Sequence, residues 1–212
     1  MQISRAFPDR GLYAITDGPH PNLLEACVDA LTGGARMLQY RDKTADHTRR
    51  HAEASALLGL CTRHGIPLVI NDDVALARAI GAHGVHLGEH DGSIAAARAQ
   101  LGRDAIIGVS CYDSLTLAQR AAEAGASYVA FGAFFASPTK PLARRATTEL
   151  LRQSAALDLP RVAIGGITPD NGASLVEAGA DYLAVISAVF RSADVRASAQ
   201  RFASLYPSRE QA

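Results

Sequence analysis

Eight short, β-branched apolar runs alternate with eight Ala- and Leu-rich segments of helical spacing, and together they predict a single-domain (β/α)8 barrel, the TIM-barrel form of α/β protein, over residues 1–212. Two further observations support that reading. The strands are mostly continuous apolar runs rather than alternating ones, as in a parallel sheet covered on both faces. Several helices close on glycine just before the next strand, in "TGGA", "RHGI" and the two "EAGA" strings, which suits a left-handed residue after the last helical turn. An open doubly wound sheet is the alternative, but no G-x-G-x-x-G follows the first strand and eight even units leave nothing for a second layer. A barrel places its chemistry just beyond the C-terminal ends of the strands.

In order, the predicted strands are "LYAIT" from Leu12, "ARMLQY" from Ala35, "IPLVI" from Ile66, "GVHL" from Gly84, "AIIGV" from Ala105, "SYVAFG" from Ser127, "RVAIG" from Arg161 and "DYLAVI" from Asp181. The predicted helices are "NLLEACVDALTGG", "TRRHAEASALLGLCTRHG", "DVALARAIGAHG", "SIAAARAQLG", "SLTLAQRAAEAGA", "TTELLRQSAALDL", "NGASLVEAGA" and "ADVRASAQRFASLY".

Composition narrows the partners. Lys plus Arg and Asp plus Glu are 21 each, so net charge gives no reason to expect nucleic acid or an anionic membrane. The opening "MQISRAFPDRG" lacks the apolar core of a signal peptide, and no run reaches the ~18 apolar residues of a membrane span, so a cytoplasmic protein is expected. Cys27, Cys61 and Cys111 form no C-x-x-C pair and read as small buried apolar residues. Self-association into a homo-oligomer is left open by the sequence.

The strand ends carry the chemistry. Strand two runs into "QYRDK", where Gln39, Arg41 and Lys43 alternate and so share one face if the chain stays extended. Two cations and an amide suit a phosphorylated ligand with a polar ring; a solvated turn balanced by Asp42 is the plainer alternative. Strands three and four end in "NDD" and "HLGEHD", so Asn71, Asp72, Asp73, Glu89 and Asp91 sit at neighbouring mouths. One carboxylate from each strand can bind Mg²⁺, which takes few carboxylates and completes its shell with water and phosphate oxygens. One of Asp72 and Asp73 can equally cap the next helix. His83, His86 and His90 share no helical face, which argues against zinc. Ser110 after strand five could donate to a ligand or merely begin a turn. Gly165 and Gly166 after strand seven allow close backbone approach, and phosphate sites recur in this fold after strands seven and eight. "FFASPTKP" after strand six holds Ser137, Thr139 and Lys140 between two prolines, read either as a linker or as an ordered phosphate loop.

Taken in order at these strand ends, "QYRDK", "INDD", "GVHLGEHD", "GVS", "SPTK", "GGIT" and "VIS" make the chain resemble the thiamine phosphate synthase family over nearly its whole length. The resemblance implies a barrel that joins 4-amino-2-methyl-5-hydroxymethylpyrimidine diphosphate to a thiazole phosphate, giving thiamine monophosphate and diphosphate with Mg²⁺. It implies that Gln39, Tyr40, Arg41, Asp42, Lys43, Asn71, Ser110 and Lys140 hold the pyrimidine diphosphate. Ser137, Pro138, Thr139, Gly166, Ile186 and Ser187 would hold the thiazole phosphate, and Asp72 and Asp91 the metal. Arg41, Lys43 and Lys140 would stabilise the departing diphosphate. The partners implied are small-molecule phosphorylated substrates. Two residues depart from the family's pattern: Glu89 stands where Gln is common, next to His90, and Ala136 stands where Pro is common. A thiazole tautomerase-like isomerase of the same fold is the second reading, and a non-catalytic phosphate-binding barrel the third.

Overall fold

The structure, a computed structural model, describes residues 7–136 and 144–206. Its strands are β1 (Gly11–Ile15), β2 (Ala35–Tyr40), β3 (Leu68–Asn71), β4 (Gly84–Leu87), β5 (Ile106–Tyr112), β6 (Tyr128–Phe131), β7 (Arg161–Ile164) and β8 (Tyr182–Val185). All eight neighbouring pairs are parallel and β1 closes on β8, so the expected barrel forms in sequence order. Around it lie α1 (Leu23–Thr32), α2 (His47–His64), α3 (Val74–Ile80), α4 (Ile94–Leu101), α5 (Leu115–Glu123), α6 (Thr148–Gln153), α7 (Ala173–Glu177), α8 (Ser187–Phe190) and α9 (Val195–Ala203).

Strand alternation splits the core in two. Leu12, Ala14, Leu38, Tyr40, Val129 and Phe131 face outward to the helices, where Leu57 of α2 and Phe202 of α9 are fully buried. Burying a Leu or Phe side chain contributes roughly 1.5–3 kcal/mol. Tyr13, Ile15, Met37, Tyr128, Ala130 and Tyr182 face inward and fill the barrel. Gly108 makes room for one of them: a Cβ there would lie 1.9 Å from Cζ of Tyr128. At the N-terminal end of the barrel Phe7 meets Tyr128 and Tyr182 edge-on, with centroids 6.0 and 5.7 Å away. Asp46, Asp73, Ser93, Ser114 and Asp194 cap their helices, each side chain accepting a first-turn N–H; such a cap is worth about 1 kcal/mol.

Four local differences from the sequence reading have physical causes or consequences. β3 begins at Leu68 rather than Ile66, because Pro67 has no N–H for the ladder and contributes only its carbonyl, which accepts from Leu38 N. β5 runs on to Tyr112 through an irregular register, so Ser110 sits within the strand, opposite Ala130. The sixth helix gives way to a 3-10 turn at Ser154–Leu157. A short α8, absent from the expected set, follows β8 directly. The cysteines are free and buried as expected, and burial pushes the Cys61 and Cys111 thiols up to about 12. Among the described residues, no helix is long and apolar enough to cross a membrane.

Candidate active site

β2 ends at Tyr40, and Gln39, Arg41 and Lys43 each meet a different partner. Gln39 is 2 % exposed inside the barrel, and its Nε2 donates to the Tyr13 hydroxyl at 2.7 Å. Arg41 reaches Asp17 Oδ1 at 3.0 Å, while its own N–H donates to Thr16 Oγ1 at 2.8 Å and its carbonyl accepts from that hydroxyl at 3.2 Å. Asp17 also accepts from Arg191 at 2.7 Å, so one carboxylate at the end of β1 bridges the β2 mouth to the residue after α8. Lys43 Nζ lies 3.7 Å from Asp72 Oδ2.

The two even-numbered neighbours, placed by resemblance among the diphosphate contacts, have their side-chain groups engaged elsewhere. Tyr40 donates to Glu53 Oε2 of α2 at 2.7 Å. Asp42 is buried, accepting from Thr44 N at 2.8 Å and from Arg49 at 2.6 Å. Burial alone would raise the Asp42 carboxyl, but Thr44 and the Arg49 guanidinium bring it below the usual carboxylate range. These two side chains tie β2 to α2.

At the ends of β3 and β4 the two roles open to "NDD" divide between its aspartates. Asp73 caps α3, its Oδ1 accepting from Leu76 N and its Oδ2 from Arg50, both at 2.8 Å. Asp72 takes a left-handed backbone, φ +62°, spanned by a 2.7 Å hydrogen bond from Asp73 N to Asn71 O, while its own N–H donates to His86 O at 2.9 Å. This turn brings the Asp72 carboxyl within hydrogen-bonding reach of Asp91, whose Oδ2 accepts from Gly88 N at 2.8 Å. Burial, then the hydrogen bond and charge of Asp91, raise the Asp72 pKa, opposed by Lys43 and Asn71. Lys43, Asn71, Asp72 and Asp91 line a cavity of about 670 Å³.

Two carboxyls in contact are poorly matched as neighbouring anions, and a divalent cation would relieve that repulsion. No group of three or more His, Cys, Asp or Glu side chains that could hold a metal exists among the described residues. The pair therefore fits a hard ion that completes its shell with water and ligand oxygens, as Mg²⁺ does, better than zinc. The histidines do not converge: His83 Nδ1 accepts from Leu68 N at 2.9 Å, His90 is exposed, and His86 lies inside the barrel. Glu89 turns away from the aspartates toward Arg144, at 4.0 Å, which also reaches Asp113 at 3.6 Å and lies over the Tyr112 ring.

On the far side, Gly166 has φ +64°, and a Cβ on it would lie 2.6 Å from Ala136 O and 2.8 Å from Phe135 O. The chain after β6 runs alongside β7, Phe134 N and Phe135 N donating to Ile164 O and Gly165 O at 3.2 and 3.0 Å. Asn171 pins the glycine turn, donating to Gly166 O at 3.1 Å and accepting from Thr168 N at 2.9 Å. Ile186 precedes α8 and the exposed Ser187 opens it. Ser137, Pro138, Thr139 and Lys140 lie outside the described residues.

Sequence reasoning missed the barrel interior. Tyr13 and Tyr128 hydroxyls are 2.8 Å apart, Tyr128 is 2.9 Å from His86 Nδ1, and His86 Nε2 is 2.9 Å from Ser110 Oγ. With Gln39 this makes one polar chain joining two residues expected to contact the pyrimidine diphosphate. Burial pushes the His86 pKa down to about 4, against a smaller upward pull from Asp91. A polar residue among the inward positions of a strand was the available signal, and "GVHL" carried it. Asp17 and Asn171, which hold Arg41 and the Gly166 turn, were also passed over.

The sequence matches the family profile described as "Thiamine monophosphate synthase" over residues 12–189. The chain belongs to the thiamine monophosphate synthase family. It is 57% identical over 194 residues to the thiamine-phosphate synthase of Xanthomonas campestris pv. campestris strain 8004, covering 91% of this chain and 94% of that one. It is also 57% identical over 200 residues to the thiamine-phosphate synthase of Azoarcus sp. strain BH72, covering 93% and 97%. The solved thiamine phosphate pyrophosphorylase of Pyrococcus furiosus superimposes with a TM-score of 0.83 at 34% identity, over 92% of this chain and 94% of that one. Membership in this synthase family makes the chain a transferase.

Proposed function

We propose that the thiamine-phosphate synthase reaction of this chain takes place at the mouth formed by the ends of β2 to β5 and β6 to β8. The pyrimidine diphosphate binds toward Gln39, Arg41, Lys43, Asn71 and Ser110. The thiazole phosphate binds toward Gly166, Ile186 and Ser187, with Ser137, Pro138, Thr139 and Lys140 assigned from the sequence alone. The thiazole nitrogen forms a bond to the pyrimidine methylene carbon with its lone pair, and the carbon–oxygen bond to diphosphate breaks, both electrons leaving with the diphosphate. An electron-rich aminopyrimidine supports positive charge on that carbon, so the protein's task is to hold two substrates in register and stabilise the departing charge. No general base is required of the chain. Arg41 and Lys43 supply fixed positive charge, while Asp17 and Asp72 hold their side chains at the mouth. Mg²⁺ held by Asp72 and Asp91 would add positive charge to the leaving diphosphate.

The observation that carries this reading is the convergence of Asp72, Asp91 and Lys43 on the lining of one cavity large enough for a diphosphate. A tautomerase would have no use for it. Purified protein is expected to release diphosphate only when both substrates and Mg²⁺ are present, and to stop on addition of chelator. Lys43→Ala is expected to lower kcat at least about tenfold, as loss of a charge-stabilising donor does. Release without the thiazole phosphate, or turnover indifferent to chelator, would overturn the assignment.

A further inference from the structure

The buried chain from Gln39 to Ser110 has a direction. Gln39 Nε2 donates to the Tyr13 oxygen at 2.7 Å, and a phenol has one proton to give, so the Tyr13 O–H is directed to Tyr128 at 2.8 Å. The Tyr128 O–H then goes to His86 Nδ1 at 2.9 Å. That makes Nδ1 the acceptor, so the proton of a neutral imidazole sits on Nε2 and donates to Ser110 Oγ at 2.9 Å. The Ser110 hydroxyl proton is left for a ligand. At the other end, the Gln39 carbonyl oxygen is left to accept.

We propose that Tyr13, Tyr128 and His86 act as positioning residues that set this polarity, making Ser110 a hydrogen-bond donor and Gln39 a hydrogen-bond acceptor toward the two ends of one substrate. The polarity suits the pyrimidine diphosphate, which has an amino group to donate and an anionic tail to receive. Reversing the chain requires every member to change at once: the Gln39 amide rotates, both phenols turn, and the imidazole proton moves to Nδ1. Ser110 would then spend its proton on His86 and have none for the substrate. A bound amino group on the Gln39 carbonyl therefore favours the polarity in which Ser110 donates, coupling recognition of the ring to stabilisation of the tail. The middle of the chain is protected from water: Tyr13 and Tyr128 are 1 % and 0 % exposed, and the His86 ring stacks on Tyr128 with centroids 5.6 Å apart.

The substrate named here rests on the proposed reaction, whereas the tautomer does not, so the two can fail separately. In protein labelled with ¹⁵N-histidine, His86 is expected to show the Nε2–H tautomer near neutral pH. Tyr128→Phe keeps the ring but removes the link, and is expected to shift His86 toward a tautomer mixture. It should also lower kcat about tenfold, a loss in the range of one hydrogen bond, with KM for the thiazole phosphate unchanged. Tyr13→Phe breaks the chain one link earlier and should act in the same direction, which covers the case in which Tyr128→Phe folds poorly. A wild-type Nδ1–H tautomer would overturn the proposal, as would unchanged tautomer and kcat in both variants. Absence of synthase turnover in a wild-type protein with the Nε2–H tautomer would instead sink the reaction assigned to the site.

Discussion

Lys43 Nζ lies 3.7 Å from Asp72 Oδ2, so the end of β2 supplies a cation to a carboxyl at the end of β3 that is also in contact with Asp91. One lysine, 63 % exposed, cannot balance two carboxylates, and the folded protein holds Asp72 with a raised pKa. A carboxyl whose pKa is raised on folding costs stability in full above its folded pKa, and the cost fades as pH falls from the folded value to the lower unfolded one. Asp72→Asn removes the cost and keeps a residue type that tolerates the left-handed backbone. The expected outcome is metal-free protein more stable by up to about 1 kcal/mol in urea denaturation, with synthase turnover reduced at least about a hundredfold, as oxyanion-scale electrostatic losses are.

Arg50 supports the same aspartate through its neighbour. Its 2.8 Å ion pair with Asp73, at side-chain exposures of 14% and 28%, fixes the residue that closes the turn around Asp72. Arg50→Met is expected to weaken binding of Mn²⁺ with inorganic diphosphate about tenfold, the usual scale for a residue supporting a metal ligand. Arg50→Lys should restore part of it. Titration followed by the Mn²⁺ electron paramagnetic resonance signal reads this without turnover, and equal affinity in wild type and Arg50→Met would rule the role out.

His86 makes stability depend on pH. Its folded pKa of about 4 lies below the ordinary 6.5, so the unfolded chain binds a proton that the folded chain refuses. Stability from the neutral ring is complete above the unfolded value and is lost progressively as pH falls toward the folded one, by on the order of 3 kcal/mol in total. Denaturation in urea at pH 7.5, 6.0 and 5.0 should show this decline, and His86→Gln should flatten it. A parallel decline in both proteins would mean that other groups carry the acid sensitivity.

Gly166→Ala tests the far side of the mouth. The new methyl would meet two backbone oxygens, at 2.6 and 2.8 Å, on a residue already at φ +64°. Neither oxygen belongs to a side chain that can swing away, so the Phe135–Ala136 backbone or the glycine turn must move. KM for the thiazole phosphate is expected to rise about tenfold or more, in keeping with the cost of a small misplacement. KM for the pyrimidine diphosphate should stay within about twofold, because β2 to β5 are untouched. Equal rises in both would point to general unfolding of the mouth.

How much of this was legible in advance differs by kind of information. Period and residue type identified all eight strands to within a few residues, because strand alternation is a local property of the backbone. The same alternation could have warned that Tyr40 faces outward to the helices; adjacency in "QYRDK" concealed it. Asp73 as a cap was readable from its place before a helix, but the left-handed turn at Asp72 was not, since it depends on His86 O and Asn71 O together. The start of β3 was misplaced by Pro67, whose missing N–H was visible in the sequence.

By itself, then, the sequence determined the barrel, the order of its strands and which strand ends would carry charge. These follow from short-range periodicity and from the turn chemistry of each unit. Only the tertiary structure decided which partners those charges meet: Lys43 with Asp72, Asp17 with both Arg41 and Arg191, Glu89 with Arg144, and the chain Gln39–Tyr13–Tyr128–His86–Ser110. Each pairing joins residues from different strands or loops, and barrel closure sets their separations. A hydrogen bond is decided within a few tenths of an ångström, a precision that no local pattern along the chain encodes.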